Sequence, residues 1–105
     1  MTPLERLTAI QPREIDGELY WPRRAVIDVL AIKDSRALRQ INAHPGAVQV
    51  TVREHDRRMF MPPKDFAYIN LAAVLALVTC SPKPLPLHEV WAALQRQSKA
   101  TLDEA

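Results

Sequence analysis

The sequence predicts a small α+β domain with two β-hairpins and about four helices, ordered helix, helix, hairpin as in a winged helix-turn-helix. Three observations predict it. Asp16-Gly17 stands between short segments carrying Ile15 and Leu19-Tyr20-Trp21, and Asp-Gly is a strong signal for a two-residue hairpin turn. Apolar residues then recur at spacings of three and four, the period of a helix with one buried face. Farther on, Val48, Val50 and Val52 alternate with Gln49, Thr51 and Arg53, the period of a strand.

The prolines divide the chain into its elements, because proline lacks a backbone donor and biases the preceding residue away from helix. Residues 1–12 precede the first hairpin and read as an N-terminal arm. The first hairpin covers Glu14 to Trp21. Pro22 suits the first turn of a helix, and Val26, Val29, Leu30 and Ile32 place that helix at about residues 23 to 31. Lys33-Asp34-Ser35 breaks the pattern and offers an N-cap to a second short helix. Ala37, Leu38 and Ile41 form its apolar side, and Arg36, Arg39, Gln40 and Asn42 its exposed one. His44-Pro45-Gly46 ends it.

A second hairpin is expected over residues 47 to 61, turning at Glu54-His55-Asp56-Arg57 and returning as Arg58-Met59-Phe60-Met61 before Pro62-Pro63. From Asp65 to Cys80 the chain is apolar almost all round, as in a helix at the centre of a domain. Ser81 to Pro86 holds three prolines and reads as a stiff extended connector. A final amphipathic helix begins near Leu87, with Val90, Trp91 and Leu94 as its stripe; the domain then spans 13–97, and residues 98–105 form a frayed tail.

Length and composition fit one domain. The chain has 105 residues, 48% hydrophobic and 25% charged, which excludes a low-hydrophobicity disordered segment. Fourteen Lys and Arg oppose 12 Asp and Glu, leaving +2, far below the excess of a histone-like or polybasic protein, so charge alone identifies no partner. The basic residues nevertheless concentrate. Residues 33 to 58 hold six basic against three acidic side chains, a local +3 that exceeds the value for the whole chain. With one cysteine, Cys80, no internal disulfide forms, and a reducing cytoplasm is the expected location. Met1 to Ile10 lack the apolar core of a secretion signal, and the longest apolar run is too short to span a bilayer.

Catalysis finds no candidate residues. Two isolated glycines exclude a glycine-rich phosphate loop, and no serine or carboxylate pair has a catalytic context. His44, His55 and His88 lack metal-ligand spacing, so neither a metal nor a cofactor is expected. Cys80, at the end of an apolar helix, reads as a small buried hydrophobe. Trp21 and Trp91 read as caps on the core, with an interface role for Trp91 and Leu94 if they stay exposed.

What remains is recognition. Arginine can pair bidentately with guanine, and glutamine or asparagine with adenine, so Arg36, Arg39, Gln40 and Asn42 are the candidate base-contacting residues. Lys33, Arg53, Arg57 and Arg58 are the candidate phosphate contacts. The alternative for these arginines is a solvated helix face and a hairpin tip protected by charge.

The apolar spacing over residues 13 to 91 also resembles the amino-terminal domain of Bro-type phage antirepressors, the Bro-N family. The residues that carry the likeness are Asp16-Gly17, Tyr20-Trp21, Val26 and Leu30-Ala31-Ile32, then Ile69-Asn70, Leu77-Val78, Ser81 and Lys83-Pro84, followed by a tryptophan. The chain departs from the family at Ala25, where an Asp is usual, at Ala31, where a Gly is usual, and at Leu71, where an acid is usual; Trp91 arrives one residue early. Members commonly carry a second, carboxy-terminal domain, for which this chain has no room. The resemblance implies a phage or prophage regulator that binds duplex DNA or a repressor protein. Two expectations follow: a DNA-binding transcription regulator, or an antirepressor that occludes a repressor or host protein. Both are compatible with a homodimer, and neither involves a membrane.

Overall fold

A computed structural model describes residues 2–54, 64–82 and 85–104. Among them are five helices and four strands, in the order α1 (Pro3–Thr8), β1 (Arg13–Ile15), β2 (Glu18–Pro22), α2 (Arg23–Leu30), α3 (Asp34–Ala43), β3 (Gln49–Glu54), β4 (Lys64–Asn70), α4 (Leu71–Cys80) and α5 (Leu87–Glu104). The small α+β class read from the sequence is the class observed.

The first hairpin forms as its turn chemistry requires. Asp16 and Gly17 have φ of 52° and 85°, so both central turn residues are left-handed and Ile15 pairs with Glu18. The second hairpin differs from expectation. β3 pairs with β4, from Gln49 opposite Ile69 to Glu54 opposite Lys64, so the returning strand is 64–70. The Arg58–Met61 segment, with His55 and Arg57 of the expected turn, lies outside the described residues. β4 also pairs with β2, and the two hairpins merge into one antiparallel sheet of order β1-β2-β4-β3.

The helix expected from Asp65 therefore begins only at Leu71. Asn70 starts it, its Oδ1 accepting from the Ala73 amide at 3.0 Å and from the Val48 amide at 2.9 Å, while its Nδ2 donates to the Gly46 carbonyl at 2.8 Å. One side chain thus joins the last strand, the first turn of α4 and the loop entering β3.

α4 lies at the centre of the core. Ala73, Val74, Ala76, Leu77 and Val78 are buried, against Val26, Ile27, Val29 and Leu30 of α2 and Trp21 and Ile69 of the sheet. Burying each large aliphatic side chain contributes about 1.5–3 kcal/mol, so this helix anchors the others. Cys80, at its end, is half-buried against the same core.

Both ends of the chain depart from the sequence reading. Residues 1–12, read as an arm, contain α1, whose Leu7 is fully buried. α5 does not stop at Gln97 but runs on to Glu104. Gln97 ties the two ends together, its Nε2 donating to the carbonyls of Thr8 at 3.0 Å and Ile10 at 2.8 Å.

Candidate nucleic-acid interface

α2, three connecting residues and α3 follow the helix, turn, helix order expected from the sequence, and α3 packs on α4. Apolar spacing sets the first helix, with Val26, Ile27, Val29 and Leu30 buried. It ends at Ala31, whose φ of 57° and ψ of 45° are left-handed. The Ile32 amide then bonds back to the Ile27 carbonyl at 3.1 Å, and the Ile32 side chain is buried beneath the turn. Pro22 sits just ahead of α2 as its N-cap, one place earlier than expected. Ser81 fixes the same junction from the far side, its hydroxyl donating to the Leu30 carbonyl at 2.7 Å.

α3 starts at Asp34, with Lys33 as its N-cap and no side chain closing it. Asp34 has another partner: its carboxylate accepts from Arg24 of α2 at 2.9 Å. This hydrogen bond, followed by the charges of Asp34 and Asp28, pushes the Arg24 pKa up, so the guanidinium stays charged. The acid at the start of α3 is thereby neutralised from within the domain.

Only Ala37 and Ile41 of α3 are buried. Leu38, expected beside them, is 43% exposed, because at the helical repeat it lies about 100° around the axis from Ala37. Arg36, Arg39 and Asn42 are exposed as predicted, Ser35 is exposed as well, and a shallow hollow is lined by Ser35, Arg36, Arg39 and Gln40. Among the described residues neither Arg36 nor Arg39 has an acidic partner.

Gln40 does not fit the expected exposed face. It flanks the buried stripe, and its Nε2 lies 3.2 Å from the Ala76 carbonyl, 3.3 Å from Thr79 Oγ1 and 3.0 Å from His44 Nε2. The amide therefore fastens α3 to α4. His44 correspondingly takes a capping place at the end of α3.

The expected phosphate contacts divide. Lys33 is exposed in the turn before α3. Arg53 donates to Asp65 across the hairpin at 3.1 Å, which offsets its charge, and Arg57 and Arg58 lie outside the described residues. Arg13 also serves the fold: it pairs with Glu54 and stands 5.7 Å from the Tyr68 ring centroid. Among the described residues, Lys33, Arg36 and Arg39 of the turn and α3, and the partly buried Arg23 at the start of α2, have no acidic partner. Sequence reasoning missed Arg24, whose partner ten residues away leaves no periodic signal.

The two candidate interface residues on α5 also divide. Val90 and Leu94, four apart, are fully buried, so Leu94 is a core residue and not a contact surface. Trp91 is rotated off that stripe and is 50% exposed, lining an apolar groove of about 460 Å³ with Leu75, Leu87 and His88. Trp21, by contrast, is 1% exposed and belongs to the core as expected.

Among the described residues no group of three or more His, Cys, Asp or Glu side chains gathers to hold a metal ion, and no helix is long and apolar enough to cross a membrane. No family model, curated protein or solved structure matches the chain.

Proposed function

We propose that this protein binds duplex DNA through α3 and acts in transcription control, as a regulator of phage or prophage type in a bacterial cytoplasm. One observation carries the reading: among the described residues Arg36 and Arg39 stand exposed and without acidic partners on α3, the second of two helices joined by three residues, which buries only a narrow stripe. In such motifs the residues near the N-terminus of the second helix reach base edges in the major groove. Arg36 and Arg39 are the third and sixth residues of α3. Lys33, just ahead of them, is placed for a phosphate, and the sequence resemblance to phage antirepressor domains points the same way.

Fluorescence anisotropy with labelled duplex DNA tests the proposal. Affinity should fall steeply as salt rises, and Arg36→Ala and Arg39→Ala should each cost about 1–3 kcal/mol. No binding at low salt overturns it.

The half-exposed Trp91 favours a second reading, an antirepressor that occludes a repressor or host protein through the groove between α4 and α5. Under that reading Trp91→Ala abolishes regulation while Arg36→Ala and Arg39→Ala leave it intact; under the first the pattern is reversed.

A further inference from the structure

Gln40, Arg36 and Arg39 differ in what they leave available to a ligand, and the difference selects a base. A glutamine reads adenine by donating from its NH2 group to N7 while its carbonyl oxygen accepts from N6. The Gln40 NH2 group is already directed at the Ala76 carbonyl and Thr79 Oγ1 of α4 and at His44. It cannot present that donor to a groove without giving up its bonds to α4. Asn42 keeps its amide exposed but stands in the last turn of α3, away from the N-terminal part that approaches base edges.

Arg36 and Arg39 offer only donors. In the major groove guanine presents two acceptors, O6 and N7, whereas adenine presents one acceptor and one donor, so a bidentate arginine fits guanine alone. Along α3 the two residues are separated by three helical steps, a rise of about 4.5 Å. Stacked nucleotides of one strand are separated by about 3.4 Å, a mismatch that two long arginine side chains can span. Asp34, which would otherwise repel the DNA backbone from the start of α3, is held by Arg24.

We infer that α3 reads neighbouring guanines, one through Arg36 and one through Arg39, with Gln40 as a structural tie and not a base reader. This rests on the DNA-binding proposal and adds the base identity. The 105-residue chain is used to select binders from a pool of duplex oligonucleotides randomised at the centre. Adjacent or once-interrupted guanines should be enriched, and 7-deazaguanine at those positions, which lacks the N7 acceptor, should weaken binding about tenfold each. Arg39→Lys keeps the charge but loses the two-pronged donor, so it should retain the salt dependence and lose discrimination at one guanine.

A bound pool without guanine enrichment, or an enriched site indifferent to 7-deazaguanine, overturns this inference and leaves the DNA-binding proposal standing. Absence of any binding at low salt overturns both.

Discussion

Ala31 ends α2 where the chain turns toward α3, and it holds a conformation that suits glycine. Its φ of 57° brings Cβ close to the following carbonyl oxygen, at a cost of about 1–2 kcal/mol for a residue other than glycine. The surrounding structure maintains it: Ile32 is buried and its amide is bonded back to Ile27. Ala31→Gly should therefore stabilise the fold by about 1 kcal/mol, net of the extra freedom glycine gains in the unfolded chain. Thermal denaturation should show the midpoint rising by about 4–8 °C; an unchanged or lower midpoint would show that the turn carries no such strain. At this scale the sequence was legible where one residue type met one backbone demand, as at Asp16-Gly17. It was less legible where a face had to be chosen. Leu38 faces solvent and Gln40 turns, half-buried, onto α4, because Ala37 and Ile41 define the buried stripe so narrowly that contacts outside the helix decide its flanking positions.

The boundary between β4 and α4 shows what element-scale reading misses. Phe66 to Cys80 is nearly continuous in apolar character, and such a run does not distinguish a buried strand from a buried helix by periodicity. The change of element occurs at Asn70, whose side chain caps α4 and also holds the loop before β3. That loop comes from more than twenty residues earlier in the chain, so no local pattern announces it. Asn70→Ala removes the cap and both loop bonds and should cost about 2–3 kcal/mol, a helix cap accounting for about 1 and the remaining hydrogen bonds for the rest. Asn70→Asp retains an acceptor for the Ala73 and Val48 amides and loses only the donor to Gly46, so it should cost less. Urea denaturation checks the order. If Asn70→Asp were as damaging as Asn70→Ala, the capping oxygen would not be what secures the junction. The candidate site followed the same division: the second helix and its arginines were visible in the periodicity, whereas the Arg24–Asp34 and Gln40–α4 contacts depend on how elements pack.

At the scale of the whole molecule, the two ends of the chain close the core together. α1 packs against both α2 and α5, and Leu7 is fully buried while Leu4 and Ile10 pack partly against the same cluster. A segment with one fully buried leucine in twelve residues carries too weak a pattern to be read as an integral helix. Gln97 adds to that packing by satisfying the carbonyls of Thr8 and Ile10 from a distant part of the sequence. Leu7→Ala should cost about 2–5 kcal/mol by leaving a cavity between α1 and the core, a large fraction of the roughly 5–15 kcal/mol that stabilises a typical domain. Removing residues 1–12 altogether should be more damaging still, since it also bares the parts of α2 and α5 that α1 covers. α3 packs chiefly on α4, so the Leu7→Ala protein should keep its DNA affinity at temperatures where it remains folded. Circular dichroism melting and anisotropy on the same samples separate the two effects. A shortened chain that melts like the full one would restore the first twelve residues to the status of an arm; a Leu7→Ala protein that is folded but no longer binds DNA would place part of the interface on α1.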